Sequence, residues 1–363
     1  MKILFPLFSL DAGGVTYATD ILASEMVKKG HSVKMLSLMD NIKRQVILQN
    51  QGFDTQTLGH TRLGLKTFIA GFFQFTAYFL KNRDFDAMVI ASPYPGIIAT
   101  LAAKLTFHKA RILVNHHTHV SYYAANEPSY KKLILFFGKY ILRLADVNAN
   151  VSQEASRDAE RYFGLKHVET LYNPLLPYHE NAAAHRWFNN PDIIPIAACG
   201  RLSKVKDFPL MFDSLKIMLQ YDAHYRLILI GDGELRKELQ DYADKTGLKD
   251  YIDFVGLQKD PRDLMHGCKF FWMTSKYEGF GIVLLEALST GIPCVAINCP
   301  SGPREALENG KYGLLIDSRD PKIIAQKTHE FAQQPQKERA FYQQRALDFL
   351  PEVTTDKYLA LLG

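Results

Sequence analysis

The sequence has few of the features that mark disulfide-rich, zinc-binding or membrane-spanning proteins. Four cysteines occur in 363 residues, and no CxxC pair or Cys/His cluster has the spacing of a zinc site. They are therefore predicted to be buried reduced thiols of a cytoplasmic protein. The longest apolar run, residues 67–80, contains Gln74 and is too short for a transmembrane helix. No low-complexity tract or short repeat is present, which excludes repeat architectures.

Length and pattern predict an α/β protein of two domains, because 363 residues exceed one compact core. Apolar, β-branched runs alternate with helical patterns, as in parallel βαβ units. An irregular stretch rich in proline and asparagine, 173–195, marks a linker between domains 1–175 and 176–340, and a terminal helical segment 341–363 follows. Strands are predicted at 3–8, 32–37, 87–91, 111–115, 147–151 and 168–171, and then at 194–198, 226–230, 251–254, 270–273, 293–297 and 313–316.

Positive charge is concentrated in the first half of the chain. Through Leu175 there are 20 basic and 13 acidic residues, whereas the remainder has 23 and 25. The excess lies in two segments with interleaved aromatic residues, 62–83 and 130–143. Such helices can lie on an anionic membrane, here the inner face of the cell membrane, or they can be ordinary core-facing helices with solvated lysines. No nucleic-acid motif is present, so no nucleic-acid partner is predicted.

The most informative motif is SKYEGFGIVLLEALSTGIPCVAINCPSGP at 275–303. Glu278 opens a glycine turn, and Glu286 follows eight residues later on the body of the predicted helix. A helix that begins after a glycine loop offers unpaired N–H groups to phosphate, so one acid could face a sugar and the other a ribose. A capped surface helix is the alternative. The candidate phosphate-binding residues are Gly279, Phe280, Gly281, Ile282 and Val283.

Arg201 and Lys206 follow the predicted strand 194–198, at the carboxyl end where parallel sheets bind ligands. Arginine can fork onto phosphate oxygens while lysine supplies a point charge. Lys204, a third cation in this loop, is not part of the pattern.

The first half has two candidate loops. The first predicted strand leads into Asp11, Ala12, Gly13 and Gly14, a turn that can approach a phosphate but lacks the GxGxxG pattern of dinucleotide-binding folds. A tight structural turn is the alternative. Strand 111–115 leads into His116, His117, Thr118 and His119. Neighbouring side chains point in different directions, so a metal site is the minor interpretation.

Together these motifs resemble the nucleotide-sugar site of the retaining glycosyltransferases of family four, whose second domain carries Glu, seven residues, Glu. The resemblance implies a GT-B fold with two Rossmann-like domains, a cleft between them and a C-terminal helix that crosses back. It also implies that Gly13 and Gly14 face the donor diphosphate and that His117, or His116, contacts the donor sugar. Arg201 and Lys206 would clamp the diphosphate and stabilise it as it departs. Glu278 would bind the sugar and Glu286 the ribose. Gly231 and Val255 would border the base, although each could equally belong to an ordinary turn.

The predicted function is retaining transfer of a sugar, from a UDP-linked hexose or N-acetylhexosamine, to a glycan hydroxyl. The expected setting is bacterial surface polysaccharide, lipopolysaccharide or lipid-linked oligosaccharide synthesis, with a lipid-linked glycan as the preferred acceptor. No cofactor and no catalytic metal are expected, and Asp84-Phe85-Asp86 is interpreted as a chance match to a metal-binding DxD motif. The alternatives are a nucleotide-sugar epimerase and a catalytically silent sugar-nucleotide binder.

Overall fold

The computed structural model describes residues 1–10, 13–61, 64–181 and 183–363. They form two compact units: a first unit of Met1–Pro174 with Phe349–Gly363, and a second unit of Leu175–Asp348. The division lies at Pro174, within the irregular stretch that follows the last strand of the first sheet. Residues 341–348, which the sequence assigns to the terminal segment, lie in the second unit.

The first unit contains a parallel sheet in the order β3-β2-β1-β4-β5-β6-β7. Its strands are β1 (Lys2–Leu7), β2 (Ser32–Met39), β3 (Asp54–His60), β4 (Ala87–Ala91), β5 (Arg111–Asn115), β6 (Val147–Asn150) and β7 (Glu169–Thr170). The helices between them are α1 (Gly14–Lys28), α2 (Ile42–Asn50), α3 (Leu65–Lys81), α4 (Pro93–Leu105), α5 (Val120–Ala125), α6 (Ser129–Ile141) and α7 (Gln153–Phe163).

Strand β3 is the one strand of this sheet that the sequence did not predict. Its residues read DTQTLGH, with a single large apolar side chain. It lies at the edge of the sheet and pairs with β2 alone, so only Thr55 among its residues is buried. An edge strand does not need the continuous apolar run that marks a buried parallel strand.

The second unit repeats this plan with the order β10-β9-β8-β11-β12-β13, and all of its strand pairs are parallel. Its strands are β8 (Ile194–Cys199), β9 (Tyr225–Ile230), β10 (Ile252–Gly256), β11 (Phe270–Met273), β12 (Cys294–Ile297) and β13 (Gly313–Ile316). Its helices are α8 (Phe208–Tyr221), α9 (Arg236–Thr246), α10 (Arg262–Met265), α11 (Ile282–Ser289), α12 (Pro303–Ala306), α13 (Pro321–Gln333) and α14 (Arg339–Leu347). The predicted α/β class is confirmed, and each predicted strand is present within a few residues.

Both sheets reverse their strand order beside their first strand, between β1 and β4 and between β8 and β11. At such a switch point the loops that leave the carboxyl ends of the two strands diverge to opposite faces and open a crevice for ligands. In the second unit these loops are 200–207 and 274–281. They contain Arg201, Lys206 and Glu278, so the topology brings the main predicted site residues to one place.

The last helix, α15 (Pro351–Leu362), returns to the first unit and packs against α1 and β5. Tyr358 and Leu362 of this helix lie in the hydrophobic core of the first unit. The buried Asn115 amide donates a hydrogen bond to the Tyr358 hydroxyl at 2.5 Å. The expected return of the C-terminal helix is thus confirmed, and a buried polar contact supports its packing.

All four cysteines are free thiols. Cys268, Cys294 and Cys299 are buried and Cys199 is half-buried, in agreement with the predicted reduced state. Burial raises the pKa of the Cys299 thiol to about 12. These side chains therefore act as small apolar residues of the second unit.

Candidate functional site

A nearly buried ion pair joins the two loops at the switch point of the second unit. Lys206 Nζ lies 2.7 Å from Glu278 Oε1, and their side chains are 18% and 12% exposed. The Ser275 hydroxyl donates to the same carboxylate oxygen at 2.6 Å. Burial opposes the charge of Lys206, but the Glu278 carboxylate outweighs it and holds the pKa of the lysine above its ordinary value. The lysine is therefore a fixed positive charge at neutral pH.

Hydrogen bonds to main-chain carbonyl oxygens hold these two loops together. The Thr274 hydroxyl donates to the carbonyl oxygens of Lys206 at 3.2 Å and Asp207 at 3.1 Å. The Lys276 N–H donates to the carbonyl oxygen of Val205 at 2.8 Å. Thr274 is buried, so its hydroxyl has little access to water and its two protein acceptors hold the loops in place.

Gly231 supports the loop that carries Arg201 and Lys206. A Cβ atom at Gly231 would lie 2.1 Å from the carbonyl oxygen of Gly200, a distance that no side chain permits. The Leu202 N–H also donates to the carbonyl oxygen of Asp232 at 2.9 Å. Gly231 therefore has a packing role that is sufficient to require glycine, apart from the predicted border with a nucleotide base. Val255 lies half-buried in β10, beside this position.

The glycine turn before α11 is present as predicted. Gly281, with φ 78° and ψ 52°, immediately precedes the helix, which begins at Ile282. Ile282 and Val283 are half-buried, so their backbone lies near the surface of the unit. The side chain of Phe280 is buried in the core, so this predicted site residue has a packing role in the second unit.

Ser301 and Gly302 border this turn, although the sequence analysis assigned them no role. A Cβ atom at Gly302 would lie 2.1 Å from the carbonyl oxygen of Phe280. Ser301 is fully buried and has a left-handed backbone, with φ 61°. The adjacent serine, glycine and proline were the available signal, since this composition marks a tight turn.

Glu286 lies on the body of α11 with its carboxyl group in a largely dry environment. Burial raises its pKa to about 7, an effect that Asp260 strengthens and Arg262 and Lys206 oppose. Arg262 is committed to Asp260, to which its Nη2 is bonded at 2.6 Å. A carboxyl group with this pKa can accept or donate hydrogen bonds near neutral pH, which suits contact with hydroxyl groups.

Arg201 differs from Lys206 although both lie in one loop. Its side chain is exposed and makes no ion pair or hydrogen bond within the part of the chain that the structure describes. Lys204 is exposed in the same way. Arg201 is therefore available to an anion, whereas Lys206 already has a carboxylate partner.

The three histidines that follow β5 lie in different surroundings. His116 is fully buried against Phe163, and burial lowers its pKa to about 3, so it is a neutral core residue. His117 has a left-handed backbone, with φ 55°, and lines a small cavity with Asn173. Burial lowers its pKa to about 4. His119 pairs with Asp158 at 3.1 Å. Of the first two, His117 is half-buried and His116 fully buried, and His117 stays the predicted donor contact.

The glycine turn of the first unit is partly described. Asp11 and Ala12 lie outside the described residues. Gly13 precedes α1, and its carbonyl oxygen accepts from the Tyr17 N–H at 2.9 Å. Among the described residues beyond its own chain neighbours and the backbone of α1, no atom lies within 4 Å of a Cβ atom built at Gly14. The phosphate contact predicted for Gly13 and Gly14 stays a prediction.

Asp84 and Asp86 both contact Lys2 at the start of β1. Asp84 Oδ2 lies 2.6 Å from Lys2 Nζ, and Asp86 Oδ2 accepts from the Lys2 N–H at 2.7 Å. The start of β1 is at the opposite edge of the sheet from the glycine turn. In the ranges that the structure describes, no group of three or more His, Cys, Asp or Glu side chains is arranged to hold a metal ion.

Helices α3 and α6 each expose several large apolar side chains, four of the eight aromatic, and we call this set of residues the aromatic face. Each member is more than half exposed: Leu65, Ile69, Phe73, Leu80, Leu133, Phe136, Phe137 and Tyr140. Lys66, Lys81 and Lys132 are exposed on the same helices, whereas Lys131 is paired with Glu127 at 2.8 Å. Arg62 lies outside the described residues. Within the described ranges, no helix is long and apolar enough to cross a membrane.

Comparison with known proteins identifies the family. Residues 12–175 match the family model described as Glycosyltransferase Family 4, and residues 180–347 match that described as Glycosyl transferases group 1. The chain belongs to glycosyltransferase family four. The two regions that match the family models correspond to the two α/β units. The Lys206–Glu278 pair lies in the region that matches the group 1 model.

Relatives in family four extend over most of the chain. The amylovoran biosynthesis glycosyltransferase AmsD of Erwinia amylovora is 25% identical over 300 residues, which is 80% of this chain and 81% of the relative. The GalNAc-alpha-(1->4)-GalNAc-alpha-(1->3)-diNAcBac-PP-undecaprenol alpha-1,4-N-acetyl-D-galactosaminyltransferase of Campylobacter jejuni is 25% identical over 339 residues, 90% and 88% of the two chains.

A solved structure agrees with the fold. The HepE protein of Anabaena in complex with UDP superposes with a TM-score of 0.79 at 19% identity, over 100% of this chain and 99% of the other. This likeness and the two parallel sheets confirm the predicted GT-B fold. The family match and this fold together make the chain a glycosyltransferase with the GT-B fold.

Glu286 gives the second unit a predictable pH dependence. Because its folded pKa is about 7 and its ordinary value 4.5, the folded state binds the proton more tightly. This stabilisation is present below about pH 4.5 and is lost as the pH rises through about 7. We expect the free energy of unfolding to fall between about pH 5 and pH 7.5 by on the order of 2 kcal/mol more in wild type than in Glu286→Gln.

Urea denaturation followed by tryptophan fluorescence measures this difference. Both tryptophans, Trp187 and Trp272, are buried in the second unit and report on its unfolding. Glu238→Gln, at an exposed position on α9, is the control and should follow wild type. Parallel pH profiles for wild type and Glu286→Gln would contradict the raised pKa.

Proposed function

We propose that this glycosyltransferase transfers a sugar from a UDP-linked donor to a glycan hydroxyl with retention of anomeric configuration. The observation that carries the proposal is the buried Lys206–Glu278 pair at the switch point, with Arg201 exposed beside it. This arrangement offers positive charge to a diphosphate and a carboxylate to a sugar at adjacent positions. Glu286 lies on α11, a little over one helical turn after the helix begins at Ile282, and is suited to the ribose hydroxyls.

The proposed reaction is a front-face displacement. The bond between the anomeric carbon and the diphosphate oxygen breaks, the acceptor oxygen forms a new bond on the same face, and the acceptor proton passes to the leaving phosphate oxygen. Lys206, Arg201 and the N–H groups at the start of α11 stabilise the negative charge that develops on the diphosphate. Glu278 is held by Lys206 and Ser275, which suits it to stabilise charge at the anomeric carbon.

The donor and acceptor classes draw support from the relatives. The HepE structure contains UDP, and the Campylobacter enzyme transfers N-acetylgalactosamine to a glycan on a diphospho-undecaprenol. The name of the Erwinia relative refers to biosynthesis of amylovoran. We infer a hexose or N-acetylhexosamine donor and a lipid-linked glycan acceptor in surface polysaccharide synthesis. His117, Gly13, Gly14, Gly231 and Val255 stay predicted donor contacts on the family resemblance.

The central test is removal of the Lys206 charge. Lys206→Ala should lower turnover at least about a hundredfold, the loss expected when one preorganised charge is removed from a developing anion. Lys204→Ala, an exposed cation in the same loop, is the matched control and should keep wild-type turnover. Sugar transfer is measured with a panel of nucleotide sugars and glycan acceptors.

Near-normal turnover of Lys206→Ala would refute the charge role. Conversion of the donor without any acceptor would instead indicate a nucleotide-sugar epimerase. Donor binding without turnover in wild type, over the whole panel, would indicate a silent binder.

Transfer is expected to continue in excess EDTA. Lys206, Arg201 and the helix N–H groups provide the charge stabilisation that a divalent ion supplies in other transferases. The assay is run on metal-stripped enzyme with and without EDTA and then with added Mn²⁺. Loss of activity in EDTA and its recovery with Mn²⁺ would contradict metal independence and direct attention to Asp84 and Asp86.

A lipid-linked acceptor requires access to a membrane surface, and the aromatic face suits that contact. Its apolar side chains can enter the interfacial region while Lys66, Lys81 and Lys132 meet anionic head groups, each contributing about 1 kcal/mol near the surface. Lys139 Nζ lies 4.2 Å from the ring centre of Phe136, so cations and aromatic rings are close on this face. We propose that the first unit docks here on an anionic membrane.

Vesicle binding tests the membrane contact. Wild type should sediment with vesicles that contain anionic lipid, more weakly at high salt, and changing Lys66, Lys81 and Lys132 to Glu should weaken binding while donor affinity is kept. The matched control changes the exposed Lys237, Lys245 and Lys249 of the second unit to Glu, an equal change in net charge. If wild type ignores the vesicles at low salt, or both triple variants lose binding equally, the aromatic face is not the contact.

A further inference from the structure

Arg319 lies between β13 and α13 and reaches two other loops of the second unit. Its Nη1 donates to the carbonyl oxygen of Ser275 at 3.1 Å, and its Nη2 donates to the carbonyl oxygen of Thr274 at 3.1 Å. The same Nη2 pairs with the Asp207 carboxylate. One guanidinium group therefore joins the loop after β8 to the loop after β11.

Each of the joined loops carries one member of the buried ion pair. Lys206 immediately precedes Asp207, and Glu278 lies three residues after Ser275. The Ser275 hydroxyl orients the Glu278 carboxylate at 2.6 Å. A shift of either loop would therefore separate the ammonium group from its carboxylate.

The Asp207 backbone needs support from its surroundings. Its φ and ψ of 49° are left-handed, a conformation that costs a residue with a Cβ atom about 1 kcal/mol. The Thr274 hydroxyl contacts its carbonyl oxygen and Arg319 holds its side chain. Lys276, the other nearby cation, is 4.0 Å from the carboxylate and about half exposed, so Arg319 makes the closer contact.

We propose that Arg319 is a positioning residue for the diphosphate contact, acting through Lys206 and Glu278 without touching the donor. The inference rests on the proposed function, which gives the pair its role. A planar guanidinium donates to two carbonyl oxygens and a carboxylate at once, which the single ammonium group of lysine does with poorer geometry. Without the Arg319 side chain, Lys206 and Glu278 are still present but are held less firmly in position. Charge stabilises a developing anion best when it is held in position beforehand, so the diphosphate contact is weakened.

The test is a double-mutant cycle on UDP affinity, with uridine as the probe that lacks phosphate. Arg319→Met should weaken UDP binding about tenfold, equal to about 1.4 kcal/mol, and leave uridine binding unchanged. In the Lys206→Met background the same change should cost less than about twofold, because the ammonium group that the Arg319 contacts position for the diphosphate is already gone and Glu278 has lost its partner. Affinities are measured by isothermal titration, or by ligand-observed NMR for uridine.

Arg339→Met is the matched control. Arg339 also donates to the carbonyl oxygens of two separate segments, at Thr290 and His266, each at 3.0 Å. Thr290 follows the C-terminal end of α11, whereas Glu278 precedes its N-terminal end. This variant should lose thermal stability to a similar degree and yet bind UDP as wild type does. In a crystal structure of Arg319→Met, the Lys206–Glu278 contact should be lengthened or split between rotamers.

Three results would overturn the positioning role. The effects of Arg319→Met and Lys206→Met on UDP affinity could be fully additive, or Arg319→Met could weaken uridine binding as much as UDP binding. The third is an unchanged Lys206–Glu278 contact in the crystal structure of Arg319→Met. A wild type that binds UDP no more tightly than uridine would contradict the proposed function instead. The crystal structure of Arg319→Met then decides the positioning role by itself.

Discussion

A lysine ammonium group that is mostly withdrawn from water is stable only with a counter-charge beside it, and Glu278 supplies that charge to Lys206 at 2.7 Å. Breaking a buried pair by removing one partner typically costs about 3–5 kcal/mol, since the remaining charge is left without compensation. The two residues are far apart in sequence, so their loops must be held in register. The switch point between β8 and β11 brings the loops together, and Thr274, Ser275 and Arg319 keep them there.

The close backbone packing around this pair explains why several motif positions are glycine. Gly231 lies against the carbonyl oxygen of Gly200, and Gly302 lies against that of Phe280. Both contacts fix a loop that carries, or adjoins, a charged site residue. A glycine in such a motif can therefore reflect protein packing as much as contact with a ligand, and the two roles are compatible because a tightly packed loop also keeps its N–H groups in fixed directions.

The two units contribute different chemistry to one family fold. The second unit supplies charges at its switch point, whereas the first supplies His117, whose pKa burial lowers, and the aromatic face. The names of two similar proteins refer to different products, amylovoran in one case and a glycan on diphospho-undecaprenol in the other. The fold is therefore compatible with several reactions, and donor and acceptor choice depends on loop side chains around this common frame.

The sequence by itself determined the α/β class and most strands, because buried parallel strands need apolar runs that are visible in the local sequence. It also singled out Lys206 and Glu278 as separate charges in glycine-containing loops. It missed the edge strand β3, whose residues need no such run, and Arg319, which belongs to no local motif. Only the tertiary structure decided that Lys206 pairs with Glu278, that His116 is buried while His117 lines a cavity, and that Phe280 points into the core. These outcomes depend on contacts between residues distant in sequence and on the backbone conformation of single residues. Neither feature produces a periodic pattern of residue types in the sequence.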